Sequence, residues 1–334
     1  MGPQKCVLVL GVKPQDLRDN FQPTFEQVEP LALKPLSSSP GQVIKTILDE
    51  ACEKAGEAPL SIISDAGSDL KKGIRLFSEE NGKVTHSLDI SHRLNSCLKE
   101  ELNKREDWKS FQKASGMSVQ YLKLSSIAHL CPPRQRTKER MHSAFQLIQW
   151  GRRLLDYFDR EGKKLCLELR NKISWICEYE HLLAIYNSLM KISQKALQIV
   201  HERGYYRSLA DDFMRISEED LISLECIEFR KKVRDILREE GEKIPDGQHY
   251  LGSSEIIESI FGSFKAMEGD HASSGLTSLV LGIPALSGKI DEDIIESAME
   301  GVSTVDLKNW IQENMGSTFL SMRRRDLHKT GKIQ

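Results

Sequence analysis

Along the chain the spacing of apolar positions changes character twice. Cys6 to Leu10 is a short apolar run ended by Gly11, which predicts a strand. The polar stretch Lys13–Gln27 with Pro14 and Pro23 reads as a loop, and Leu31–Leu36 as a weak edge strand, because Pro35 interrupts it. Ser37–Pro40 offers an N-cap and a first-turn proline, after which Val43, Ile44, Ile47, Leu48 and Ala51 recur at helical spacing until Gly56. Leu60, Ile62 and Ile63 predict a second buried strand that stops at Asp65 and Gly67; from Asp69 the pattern turns helical through Leu70, Ile74, Leu76 and Phe77. A turn at Glu79–Gly82 leads to Val84–His92, a strand that ends near Asp89.

After His92 the helical period dominates for about 150 residues. Leu94, Leu98 and Leu102 start one helix, continued by Trp108 and Phe111; Met141–Phe158, Ile173–Val200 and Ser217–Glu240 predict three more. No strand is needed in this block. Turn chemistry at Ile244–Tyr250 leads into a last strongly patterned helix, with Ser253 or Ser254 as cap and Ile256, Ile257, Ile260, Phe261 and Phe264 around much of its circumference. The pattern divides the chain into 1–92, mixed α/β; 93–248, all-helical; and 249–334, the helix carrying Glu258 and the C-terminal helices.

Composition narrows the class. The 334 residues are 39% hydrophobic and 29% charged with net charge −2, which excludes a globally basic nucleic-acid binder but leaves local basic patches open. No apolar run reaches membrane-spanning length, and the N-terminal segment lacks a signal-peptide pattern, so a cytosolic protein with no membrane partner is expected. Seven scattered cysteines without a C-x-x-C pair fit core thiols in a reducing compartment and argue against a zinc site.

Candidate chemistry gathers at acids near element ends. Asp65 follows a strand, where α/β proteins bind ligands, although a turn residue there needs no chemistry; Asp69 reads equally well as a cap. Glu258 and Lys265 lie seven residues apart on one helix face, with Glu255 one turn before Glu258. An acid on a largely buried helix requires a partner or a metal.

The order Asp65, then Asp89-x-x-His92, then Glu258-x-x-Phe261-x-x-x-Lys265 after a long helical block resembles the DDE transposases of the RNase H-like superfamily, the cut-and-paste insertion-element type with an all-helical insertion. The resemblance spans about residues 5–325. It implies an RNase H-like mixed sheet with a large helical insert, α-rich overall. Asp65 and Glu258 would then be catalytic metal ligands for two Mg²⁺ (or Mn²⁺) ions, with Asp89, His92 and Lys265 in support and no small-molecule cofactor. Glu258 is preferred to Glu255 because only Glu258 has Phe261 and Lys265 at the family's offsets. The resemblance places the first catalytic Asp on a central strand just upstream of Gly2–Cys6, and neither Asp16, Asp19 nor Glu29 offers a substitute; it therefore implies a truncated, inactive copy.

DNA at the transposon ends is the implied partner, with a homodimer also open. Between Cys131 and Arg170 ten Lys/Arg face five acids, and Arg134, Arg136, Lys138 and Arg140 form the densest phosphate-binding candidate; Arg323, Arg324 and Arg325 form a second. Trp108, Trp150 and Trp175 fall on helix patterns and read as core. The competing expectations are a non-catalytic DNA-binding remnant, or an unrelated α-rich protein whose acids are caps.

Overall fold

Strand β1, Lys5–Val12, pairs antiparallel with β2, Val28–Leu36, from Lys5↔Leu36 to Val12↔Val28, with an irregularity between Val9 and Leu10. This is seen in a computed structural model that describes residues 5–18, 20–82, 84–134, 140–268, 278–289, 291–315 and 325, the side chains of 140–143 excepted. The strand β2 is longer than the predicted 31–36 and includes both Pro30 and Pro35. Among the described residues it pairs with β1 alone, so it is an edge, and an edge strand tolerates residues without an N–H donor.

The chain divides into two units: Met1–Asp89 with Val200–Tyr205 and Gln248–Gln334, and Ile90–Ile199 with Tyr206–Gly247. In the first, the hairpin is followed by α1, Gly41–Ala55; β3, Ser61–Ser64; α2, Ser68–Asn81; and β4, Thr85–Leu88, which lies parallel to β3. Crossing from β3 to a parallel neighbour takes a connection of a dozen or more residues, and α2 supplies it. Gly56 ends α1 in the left-handed conformation, φ 77°, as its position after the last apolar residue predicts. The cap of α1 is Pro40, however, and no serine side chain of 37–39 caps it.

Period-two alternation in β1 sends its two faces into two cores. Val7 and Val9 pack with Ile62 of β3 against Ile44, Leu48, Ile74 and Phe77 of α1 and α2. Leu8, with Cys6 and Leu10, packs on the other side with Val28, Val280, Ile283 and Met315 and with Ile260 and Phe264 of α10, Glu255–Glu268. Burying each such large apolar side chain contributes roughly 1.5–3 kcal/mol. Although β1 and β3 lie against one helical layer, β1 bonds only to β2 and β3 only to β4, so the expected single mixed sheet is instead two two-stranded sheets. Two further helices, α11 at Glu292–Gly301 and α12 at Thr304–Asn314, complete this unit.

The second unit is helical throughout its described residues: α3, Ile90–Asn103; α4, Glu106–Leu122; α5, Arg140–Glu161; α6, Leu167–Ile173; α7, Glu180–Arg203; α8, Leu209–Ile216; and α9, Leu224–Gly241. Two predicted helices break. The first, over 173–200, is interrupted by a 3-10 segment at Ser174–Tyr179, where Ile176 is fully buried and the Trp175 and Tyr179 rings turn onto Phe111. The second, over 217–240, begins only at Leu224, because Ser223 is its N-cap, its hydroxyl accepting from the Cys226 N–H. Trp108 is buried edge-on to Tyr186, and the Trp150 indole donates to the Leu130 carbonyl at 3.0 Å, so both tryptophans serve the core.

Candidate active site

Strand β3 ends at Ser64, whose register partner on β4 is Leu88; Asp65 and Asp89 are therefore the first residues beyond two adjacent parallel strands. The Asp89 N–H extends the ladder by donating to the Ser64 carbonyl at 3.0 Å. This is the carboxyl end of a parallel pair, where α/β folds place ligands. The two acids differ in environment. Asp65 is exposed, whereas Asp89 is 1% exposed.

A buried carboxylate must be supplied with donors, and Asp89 receives two from one residue. Its Oδ2 accepts the Ser254 N–H at 2.5 Å and the Ser254 hydroxyl at 2.8 Å. Ser254 immediately precedes α10, so the negative charge sits at the positive end of that helix, where it is stabilised. Ser254 thus gives its hydroxyl to Asp89 rather than capping the helix itself; the Ser253 hydroxyl accepts the Glu255 N–H instead, at 3.3 Å. The consequence is positional: the first turn of α10 is held at the carboxyl ends of β3 and β4.

Glu258 lies in that first turn, four residues after Ser254, or about 6 Å of helical rise. Ile260 and Phe264 point into the core, and Glu258 and Lys265 are both exposed. The expectation of an acid on a largely buried helix is corrected: α10 buries one face and carries Glu258 and Lys265 outside it. Glu255, the rival acid, is half-buried with its Oε2 3.3 Å from His201 Nε2, an imidazole near the end of α7. Its position favours structure over a ligand role.

Three residues near this end escaped the pattern reading. His86, on β4, has its Nε2 2.9 Å from the Ser64 hydroxyl, one residue before Asp65. The Tyr205 hydroxyl donates to the Leu88 carbonyl at 2.8 Å, and Tyr205 and Tyr250 exchange backbone hydrogen bonds at 2.7 and 2.9 Å. Gly204 permits this with φ 70° and no Cβ to meet the Tyr250 carbonyl. Only the lone Gly204 after a long apolar period signalled a turn here.

Of the remaining candidates, His92 stands half-buried in the first turn of α3. Arg134 and Arg325 are exposed; Arg136, Lys138, Arg323 and Arg324 lie outside the described residues, as does the side chain of Arg140 at the start of α5. Asp16 occupies a 3-10 turn, Pro14–Leu17, and Glu29 an exposed ion pair with Lys13 at 2.9 Å; Asp19 is outside the described residues. No described helix is long and apolar enough to cross a membrane.

The donor set can be weighed against a divalent cation. Mg²⁺ takes hard oxygen ligands and is commonly held by one or two carboxylates with water completing its shell. Asp65 and Glu258 fit that in kind, being exposed carboxylates at one end of the unit. Among the described residues no group of three His, Cys, Asp or Glu side chains converges as a closed metal site. Thiol chemistry is disfavoured, since burial pushes the Cys6 and Cys97 thiols up to about 11. No protein-family model matches the chain, and comparison with curated proteins gives no match.

Proposed function

We propose that this chain is a DDE transposase-like protein of DNA transposition, built on an RNase H-like core, in which Asp65 and Glu258 hold a divalent cation against a DNA phosphate. The observation that carries the reading is the Asp89–Ser254 link, which tethers the Glu258 helix to the strand pair that ends in Asp65. When bound, Mg²⁺ supplies charge stabilisation at phosphorus and activation of the attacking oxygen. Asp89 is a positioning residue, because its carboxylate is buried on Ser254. Lys265, two turns beyond Glu258, is suited to a backbone phosphate, with Arg134, Arg140 and Arg325 as further cationic contacts.

Two acids are fewer than the three that a complete site of this class uses. We therefore infer weak cleavage and retained DNA binding by the polypeptide of this sequence. A non-catalytic DNA-binding scaffold is the second reading, favoured by that same shortfall. The test is incubation with DNA carrying the element's ends and Mg²⁺ or Mn²⁺, alongside binding titrations at several salt concentrations. Salt-dependent binding with slow nicking, abolished by Asp65→Ala, supports the first reading. Binding without any nicking supports the second, and absence of both removes the DNA role altogether.

A further inference from the structure

Away from the candidate site, α11 and most of α12 stand without cover. Every residue from Asp291 to Trp310 is exposed, including Ile294, Ile295, Met299 and Val302, which share one helical stripe. Asp291 caps α11 by accepting the Ile294 N–H at 2.9 Å, and Ser303 and Asp306 form a capping box on α12. Only the end of α12 is anchored, through Ile311 and Met315 in the core beneath α10. A ten-residue helix without packing is marginal in water, so the stripe calls for a partner surface.

Charge selects the partner. From Asp291 to Val302 there are five acids and no Lys or Arg, which disfavours nucleic acid and anionic lipid. An exposed stripe of opposite charge lies on α4, where Lys113, Met117, Tyr121 and Leu124 follow at helical spacing, Leu124 being 93% exposed. From Trp108 to Cys131 there are three Lys and no acid, and Gly116 beside the stripe leaves open space for close approach. The other exposed apolar cluster, Ile222, Leu224 and Ile227, lies among Glu218, Glu219, Glu225 and Glu228 and would repel an acidic helix.

We propose that α11 of one copy packs its apolar stripe on the α4 stripe of a second copy, with the contact made twice in a twofold dimer. Glu296 and Glu300 then face the lysines that flank Met117. The proposal is independent of the DNA reading. Its test is sedimentation equilibrium of the full chain, which should give twice the 38.0 kDa chain mass. Met299→Asp and Met117→Asp, both at exposed positions, should each leave helix content by circular dichroism unchanged and weaken the dimer roughly tenfold or more. Glu296→Lys and Lys113→Glu should each weaken it too, and mixing these two variants should restore a dimer, because one reciprocal contact regains opposite charges. A monomer at all concentrations overturns the proposal. So does a dimer that Met299→Asp dissolves while Met117→Asp leaves it intact, which would mean that α4 is not the surface covered.

Discussion

Asp89 and Ser254, 165 positions apart, share two hydrogen bonds inside one unit: the serine's N–H and hydroxyl both donate to Asp89 Oδ2, at 2.5 and 2.8 Å. Removing the acceptor strands two buried donors at the start of a helix. Asp89→Ala should therefore destabilise the protein by about 2–4 kcal/mol. Asp65→Ala, at an exposed strand end, should shift stability by no more than about 0.5 kcal/mol. Urea unfolding of the two variants checks the contrast; equal losses would mean that Asp65 is a structural residue.

Close packing of α1 on α2 rests on missing side chains. A Cβ at Gly73 would sit 2.8 Å from the Gly41 carbonyl oxygen and against Ile44, whereas one at Gly262 on α10 meets nothing within 4 Å. Gly73→Ala should cost about 1–3 kcal/mol through overpacking. Gly262→Ala should add about 0.5–1 kcal/mol by restricting the unfolded chain and improving helix propensity. Thermal midpoints should move in opposite directions.

Acid sensitivity has an identifiable contributor in the helical unit. Arg105 lies against Asp107 with Nη2–Oδ2 at 2.7 Å, and the Trp108 N–H donates to the same carboxylate at 2.8 Å; the arginine hydrogen bond leads in holding Asp107 below the usual carboxylate range. A depressed folded value means stability that is present above the unfolded value, about 3.9, and lost as pH falls through the folded one. Arg105→Gln should flatten the fall in urea midpoint below about pH 4 relative to the parent protein. An unchanged acid slope would assign that sensitivity to other carboxylates.

Thiol labelling should follow exposure. Cys166 and Cys177 are exposed, Cys97 and Cys226 are buried, and burial holds the Cys97 thiol protonated up to about 11. At pH 8 a disulfide reagent should modify Cys166 and Cys177 in the native protein, and Cys97 and Cys226 only after unfolding. Mass spectrometry of the labelled peptides reads this directly, and early modification of Cys97 would show that α3 opens locally.

Much of the α/β part was legible because its signals are local. The apolar run into Asp65, the period of α1 with Gly56 after it and the apolar positions of α10 needed only neighbouring residues. What was not legible depends on distant partners. Pro30 and Pro35 argued against a full-length β2, but the strand is an edge. The break at Ser174–Tyr179 follows from aromatic packing onto Phe111, and the late start of α9 follows from Ser223 outcompeting the acids at 218–220 as a cap. At the site, Asp65, Glu258 and Lys265 were found as residue types at a spacing. That Asp89 would be consumed by Ser254, and that Glu258 would face outward, required the tertiary link.

The claim on which the functional reading stands is that Asp65 and Glu258 reach one cation from the strand end and the first turn of α10. Crystals soaked in MnCl₂ and measured at the manganese absorption edge test it without any need for turnover. The account predicts an anomalous peak about 2–2.5 Å from carboxylate oxygens of both residues, lost in Glu258→Ala crystals. A map with no peak at the ends of β3 and β4, or with manganese held by Glu255 and not by Glu258, would contradict it.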